Sequence, residues 1–329
     1  MWFEDLVGFP ETNGDAVRSQ LELQGELLHS RVNGSEHRCG RLELLSLAEL
    51  RSRAAELDGT GSLTVREVVG DVQQLHALAD SAGALFQAAS QFNLLEMTSP
   101  SVTPEAGVGI YENDRTQGPA CAVAAGAGTI YRNYLVPLGG QLGQTAARQL
   151  DALADLGAAL GNHDSCLWDM RNGYALASAD GLAAINAQLT ASTADKLDEL
   201  RTKLRIGVQW DVEVTLPGAG HLVTQVYGSA LPVAYGEPPT AQWEPFARLV
   251  LEASYEATLW AAVLNREASG NRRVFLTLLG GGVFGNRIEW ILDAIERALR
   301  LAGDCDLDVG IVSYGSSNPA VRGFAEGFG

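Results

Sequence analysis

Val274-Phe-Leu-Thr-Leu-Leu-Gly-Gly-Gly-Val-Phe-Gly-Asn286, continued by Arg287-Ile-Glu-Trp290, is the stretch on which the reading of the fold turns. Residues 274–279 are mostly apolar without alternation, which predicts a strand buried on both faces. Gly280, Gly281, Gly282 and Gly285 then turn the chain into an amphipathic helix with Ile288, Ile291, Ile295 and Leu299 on one face. A strand, a glycine-rich loop and a helix N-terminus together make an anion cradle. Backbone N–H groups point outward, no Cβ blocks the approach, and the helix dipole favours negative charge. Three consecutive glycines exceed what a tight turn requires. The expectation is a phosphate-containing small ligand held at residues 280–286.

Working outward, residues 307–314 read as a last buried strand and residues 243–265 as a helix with Phe246, Val250, Ala253, Ala257, Trp260 and Leu264 inward. Ile206, Val208, Trp210, Val212 and Val214 alternate strictly. After the turn at residues 217–220, residues 222–230 are strand-like again, as a hairpin or as two sequential strands of one sheet. Upstream, residues 63–69 read as a strand ending at Gly70-Asp71, and residues 84–89 form a second apolar run. Residues 91–134, rich in Gly, Ala, Thr, Asn and Pro, show no clear period; so long an irregular region is more often functional than idle. Residues 145–204 read as a helical insert. Leu150, Leu153, Leu156 and Leu160 stop at Gly161-Asn162, Leu182, Ile185 and Leu189 make a second face, and Leu197, Leu200 and Leu204 follow the cap candidate Thr193. Residues 1–60 read as an N-terminal extension, with a helix over 44–57 closed by Asp58-Gly59 and a turn at Gly59-Thr60-Gly61. Residues 61–329 then form one domain. Strands alternating with helices at both ends give a mixed sheet covered by helices.

The 329 residues carry 23 Lys and Arg against 40 Asp and Glu, a net charge of −17, which argues against a general nucleic-acid or anionic-membrane surface. An acidic protein that holds a phosphate must do so locally, with backbone amides. Cys39, Cys121, Cys166 and Cys305 are scattered without a CxxC pair, which fits a reducing compartment rather than a disulfide scaffold. With no basic flank and apolar run at Met1 to suggest a signal peptide, and no run of about 18 apolar residues, the expected location is the cytoplasm. The five histidines make no metal-ligand spacing, so neither a metal nor a cofactor is expected.

Gly280-x-Gly282-x-x-Gly285 also matches a dinucleotide fingerprint, with Asp304, Asp306 and Asp308 about 20 residues on. Those acids precede the next strand instead of ending it, and the chain has no second nucleotide half. A Walker A loop is excluded because no Lys-Ser/Thr follows.

Read together, residues 63–315 resemble a macrodomain, the ADP-ribose-binding α/β/α family. Val68-Val-Gly-Asp-Val72 is similar to the family's Gly-Asp-Ile motif, whose aspartate accepts from the adenine amino group. The segment Ala84-Leu-Phe-Gln-Ala-Ala-Ser-Gln-Phe-Asn93 is similar to its Val-Asn-Ala-Ala-Asn segment, with Gln87 at the first asparagine position and Asn93 three residues late. Residues 280–286 are similar to its second phosphate loop, with Phe284 at the aromatic position, and residues 309–314 to its closing strand. The first loop, usually Gly-Gly-Gly, is replaced by residues 103–121. That wording, together with Gln91-Phe-Asn-Leu-Leu-Glu-Met97, resembles a divergent branch typified by a bacterial effector that removes ADP-ribose from arginine of ubiquitin.

The resemblance implies a three-layer α/β/α mixed sheet with an N-terminal extension and a helical insert. It also implies an ADP-ribosylhydrolase acting on ADP-ribosylated protein, arginine-linked, with ubiquitin among the candidates, or alternatively a reader that binds ADP-ribose without cleaving it. The implied ligand-binding residues are Asp71, Gln87, Asn93, Gln117, Gly280, Gly281, Gly282, Val283, Phe284, Gly285, Asn286 and Tyr314. Cleavage at an anomeric carbon passes through an oxocarbenium-like state and uses carboxylates. Asp114, in the dense run Asn113-Asp-Arg-Thr-Gln-Gly118, is the first candidate and Glu105 the second. Asp114 reads equally well as a turn or cap residue before a helix at Thr116. Asp71 reads alternatively as a strand-end turn, Asn93 and Gln117 as buried amides satisfying loop backbone, and Phe284 as a core aromatic.

Overall fold

In the computed structural model, which describes residues 1–57 and 61–328, seven strands form one sheet. They are β1 (Arg41–Ser46), β2 (Thr64–Val69), β3 (Leu85–Ala89), β4 (Arg205–Glu213), β5 (Leu222–Gly228), β6 (Arg273–Leu276) and β7 (Asp308–Ser313). Their spatial order is β1-β4-β5-β3-β6-β7-β2. The hairpin of β4 and β5 is antiparallel, as is β1 on β4, whereas β5, β3, β6, β7 and β2 run parallel to one another. Five parallel strands therefore deliver their carboxyl ends to one edge of the sheet, where an open α/β sheet forms its binding crevice. Central strands carry apolar residues on both faces: Leu85, Phe86 and Ala88 of β3 are fully buried, because both faces are covered.

One face is covered by the long helix α4 (Thr240–Ser269), with α5 (Ile288–Leu301) beside it. The other carries α2 (Val72–Ala77), α3 (Gln117–Ala124) and the helix Gly126–Ile130. The expected three-layer α/β/α mixed sheet is thus observed. No helix among the described residues is long and apolar enough to cross a membrane.

Several local expectations are corrected. The helix expected over 44–57 is α1 (Leu47–Ala54). Ser46 and Glu49 form a capping box that fixes its start, and the residues before it form β1 instead. The segment before residue 61 therefore also supplies an edge strand of the sheet. The closing signal Asp58-Gly59 lies outside the described residues, as does Thr60 of the expected turn. The insert is helical over Ala154–Leu160, Ala179–Ala191 and Ala194–Lys203, but it also contains the antiparallel hairpin Trp168–Arg171/Tyr174–Ala177. Asn172 and Gly173, both at positive φ, make the two-residue turn such hairpins favour. The irregular region 91–134 contains α3, Gly126–Ile130 and a π turn at Tyr131–Leu135.

An ionic cluster around the buried Glu256 ties α1 to α4. The Glu256 carboxylate, 2% exposed, accepts from Arg51 Nε at 2.6 Å, Arg297 Nη1 at 2.6 Å and Trp260 Nε1 at 3.1 Å. Asp198 takes the other edge of Arg51 in a fork of 2.6 and 2.9 Å. Burial pushes the Glu256 carboxyl up, but the Arg51, Arg297 and Trp260 bonds outweigh it and hold the group below its usual range. Glu256→Ala is expected to lower stability by about 2 kcal/mol, less than a fully buried pair because Asp198 still serves both arginines. Urea denaturation checks this, with the loss appearing in the midpoint at constant slope.

Candidate functional site

At the carboxyl edge of the parallel strands lies a cleft of two joined chambers. The larger, about 1010 Å³, runs from Gly70 and Asp71 past Tyr111 and Asp114 to Tyr314 and Asn318. The smaller, about 240 Å³, is walled by Ser90, Glu96, Tyr174, Tyr235, Phe284 and the glycine loop. Asp114, Thr116, Gln117, Pro119, Thr277 and Leu278 line both and so form the neck.

The glycine loop is present but organised differently from expectation. The strand stops at Leu276, and α5 begins only at Ile288, so the loop does not feed directly into a helix N-terminus. Gly281 N–H donates to Leu278 O, Gly285 N–H to Gly282 O and Asn286 N–H to Gly280 O, which folds the loop on itself. The N–H groups of Gly280, Gly282, Val283 and Phe284 have no acceptor among the described residues. Gly280, Gly282, Val283 and Phe284 line the small chamber, whereas Gly281, Gly285 and Asn286 do not. Asn286 is buried and ties the loop to Leu231 O through Nδ2 at 2.8 Å. Gly280 needs its glycine: its φ is +68°, and a Cβ would lie 2.5 Å from Ala230 Cβ.

Asp71 caps α2, Oδ1 accepting from Gln73 N–H at 2.8 Å, and also lines the large chamber. The strand-end turn and the cleft wall are thus the same residue. Tyr314, 68% exposed, lines the same chamber from the end of the neighbouring strand β7. Asp114 accepts from Thr116 N–H at 2.8 Å, the turn geometry anticipated as its alternative role, while lining the neck. Gln117 also reaches the neck. Its head group closes the end of β3, accepting from Ala89 N–H and donating to Gln87 O, both at 2.8 Å.

Three expected residues lie elsewhere. Glu105 lines neither chamber; its carboxylate accepts from Ala146 N–H at 2.8 Å on the outer surface. Gln87 is fully buried between Thr258 Oγ1, at 2.9 Å, and Thr277 N–H, at 3.2 Å. Asn93 is fully buried too, with Gln149 Oε1 at 2.8 Å and Leu95 N–H at 3.1 Å. These amides satisfy backbone and side-chain partners in the interior.

Sequence reasoning missed a buried carboxyl group in the wall of the small chamber, Glu96. It is 4% exposed, and Oε1 has no hydrogen-bond partner among the described residues. Burial is the main cause that raises its carboxyl to about 8; Arg132 acts against this and Asp114 with it. Its backbone is held at each neighbouring amide: Leu95 N–H by Asn93 Oδ1, Glu96 N–H by Tyr111 Oη at 3.1 Å, and Met97 N–H by Gln91 Oε1 at 2.6 Å. The signal was a single charge inside Phe92-Asn-Leu-Leu-Glu-Met97.

Beneath Glu96, Arg132 is fully buried, its guanidinium carbon 3.7 Å from the Tyr227 ring centre. It donates to Leu94 O at 3.0 Å and Thr129 Oγ1 at 3.2 Å, and to Tyr227 Oη. Tyr227 Oη–H donates to Gln225 Oε1, and Gln225 Nε2–H meets His76 Nε2 at 3.0 Å. Burial lowers His76 to about 4, so the ring is neutral. With Nε2 accepting, Nδ1–H donates to Val72 O at 2.8 Å. The chain of bonds runs in one direction from a buried cation to the backbone of the large chamber, and it fixes the floor of the cleft.

Tyr174, Tyr235 and Phe284 pack with ring centres 5.2 to 5.6 Å apart and close the far side of the small chamber. Tyr174 comes from the insert hairpin and is anchored by donation to Met97 O at 2.6 Å. Chemically, the arrangement offers free N–H groups for an anion, a buried carboxyl that stays protonated near neutral pH, a second carboxylate at Asp114, and aromatic walls. Among the described residues, no three His, Cys, Asp or Glu side chains converge as metal ligands.

No family model matches the chain, and no curated protein is similar to it in sequence. Among solved structures it is similar to poly(ADP-ribose) glycohydrolase from Deinococcus radiodurans in complex with ADP-ribose. There 11% of residues are identical, 86% of this chain and 91% of that one are covered, and the TM-score is 0.43. It is also similar to poly(ADP-ribose) glycohydrolase from Thermomonospora curvata, with 13% identity, 94% of each chain covered and a TM-score of 0.43.

Proposed function

We propose that the protein is an ADP-ribosylhydrolase that binds ADP-ribose in this cleft and cleaves it from modified protein side chains. The observation that carries the reading is Glu96: a buried carboxyl raised to about 8, with one unpartnered oxygen, in a chamber shared with Asp114 and the glycine loop. A pair of carboxyl groups in different environments is what glycosyl-bond hydrolysis uses, one to protonate the leaving group and one to activate water. Protonated Glu96 takes the first role. Asp114 takes the second, orienting water at the anomeric carbon while positive charge develops there. The free N–H groups of Gly280, Gly282, Val283 and Phe284 receive the diphosphate, and the base lies in the large chamber between Asp71 and Tyr314.

For the bond cleaved we propose the N-glycosyl link to arginine. Aromatic faces beside a carboxylate favour a cation, and Tyr174, Tyr235 and Phe284 line the small chamber together with Asp114. Ubiquitin as the modified protein rests on the sequence resemblance alone. The second reading, an ADP-ribose reader, is favoured by the commitment of Asp71, Asp114 and Gln117 to backbone bonds.

Titration calorimetry with ADP-ribose is the first test. Saturable binding is expected, and no heat at millimolar ligand would sink both readings. Incubation with arginine-ADP-ribosylated protein is the second. Release by the wild type and at least a tenfold slower release by Asp114→Ala are expected if Asp114 activates water. Equal release would remove Asp114 from the mechanism, and binding without release would establish the reader.

A further inference from the structure

The short helix Gly109–Asn113, which carries Tyr111 and leads into Asp114, has no side-chain cap of its own. Its first amides are instead held by a residue about a hundred positions upstream. Glu11 Oε1 accepts from Val108 N–H at 2.8 Å, and Oε2 from Gly109 N–H at 2.6 Å. The same carboxylate accepts from Tyr134 Oη–H at 2.6 Å. A negative charge at a helix start complements its free N–H groups. Gly107 and Gly109 make the approach possible: a Cβ at either would lie 2.6 or 2.7 Å from the Glu11 carboxylate. A second tie runs alongside, from Trp2 N–H to Glu112 Oε2 at 3.2 Å. What the clamp holds is the site itself, because Tyr111 Oη receives the Glu96 N–H at 3.1 Å.

We infer that Glu11 is a positioning residue for Glu96, acting through residues 107–111, and that the N-terminal segment is thereby part of the active site. For its effect on catalysis the inference rests on the function proposed above. Glu11 touches neither chamber; it fixes the helix whose tyrosine fixes the acid. The Glu11 carboxylate receives three hydrogen bonds, so Glu11→Ala frees Val108, Gly109 and Tyr134 together. Glu11→Gln keeps the shape but turns one acceptor into a donor facing an N–H.

The test compares Glu11→Ala and Glu11→Gln with Val17→Ala, a buried apolar residue of the same segment chosen as a control for general loosening. Two readouts are taken. The first, amide hydrogen exchange, needs no substrate. Exchange at Val108, Gly109 and Glu96 is expected to rise at least tenfold in Glu11→Ala and to stay at the wild-type rate in Val17→Ala. The second is the pH dependence of ADP-ribose release. In Glu11→Ala, kcat is expected to fall by up to about 100-fold, as for a displacement of ~1 Å near the chemistry. The basic limb should move to lower pH as Glu96 meets water, with Glu11→Gln lying between. Unchanged exchange at the Glu96 amide in Glu11→Ala overturns the inference, as does an equal change in Val17→Ala. If the wild type releases no ADP-ribose, the proposed function fails, and the exchange data still decide whether Glu11 holds Glu96.

Discussion

Glu96→Gln is expected to slow release of ADP-ribose by about 10²- to 10⁴-fold, the range for a lost general acid, while affinity for ADP-ribose stays within a few-fold. The amide occupies the same space but cannot deliver a proton to the leaving group. In the wild type the active form is protonated, so kcat/KM is expected to hold below the Glu96 value of about 8 and to fall as pH rises through it. Stability carries the same signature. The ordinary glutamate value is 4.5, and in the folded protein burial raises it to about 8. Between those values the unfolded chain has released its proton and the folded one has not. Stability therefore falls with rising pH across that window and levels off above it. Glu96→Gln removes this penalty, so the variant is expected to be more stable than the wild type by on the order of 3 kcal/mol at pH 7, and by little at pH 4. Thermal unfolding of both proteins across pH 4 to 9 measures the gap. A gap that does not change with pH would mean that Glu96 is not held protonated.

Gly118→Ala is expected to damage both fold and site. A Cβ there would lie 2.0 Å from the Ala89 carbonyl oxygen and 2.3 Å from Glu96 Oε2. The first contact sets the new Cβ of α3 against backbone at the end of β3, so relief requires the helix to move away from the sheet. That is overpacking of the severe kind, about 3 kcal/mol or more. The second contact displaces the Glu96 carboxyl from its chamber. The expected outcome is a fall of several degrees in Tm, together with loss of release greater than that of Asp114→Ala. Wild-type Tm and wild-type release in Gly118→Ala would contradict the close approach of α3 to Ala89 and Glu96.

The parts of the fold legible in the sequence were those with an unambiguous period. The alternation at Ile206 to Val214 and the continuous apolar runs at β3, β6 and β7 mark strands because burial on one or both faces leaves that imprint. Helices α4 and α5 show their inward faces for the same reason. The helices inside residues 91–134 left none: Ala122, Ala124, Ala125 and Ala127 are all buried, and small residues packed on every side erase the contrast between faces. Of the candidate site, Asp71, Asp114, Gln117, Tyr314 and half of the glycine loop converge on the cleft. Gln87 and Asn93 sit in the core because an amide with partners on every side is as well satisfied there as in a site. Glu96 was passed over because charges are ordinarily solvated. Only the fold shows that this one is surrounded by Tyr111, Arg132 and α3.

The order of strands in the sheet also governs how the molecule must assemble. Both outer strands come early in the chain and await partners made late: Leu44 of β1 meets Arg205 across 161 residues, and Thr64 of β2 meets Asp308 across 244. The third early strand, β3, pairs with β5 and β6, so none of the three strands before residue 200 pairs with another in this sheet. In this sheet the earliest pairing open to a growing chain is β1 on β4, followed by the β4–β5 hairpin, and the parallel half closes only once β7 exists. A protein emerging from the ribosome therefore carries three unpaired early strands until β4 is made, and leaves β2 unpaired until β7 is, which makes slow folding and engagement by chaperones the natural expectation for this topology.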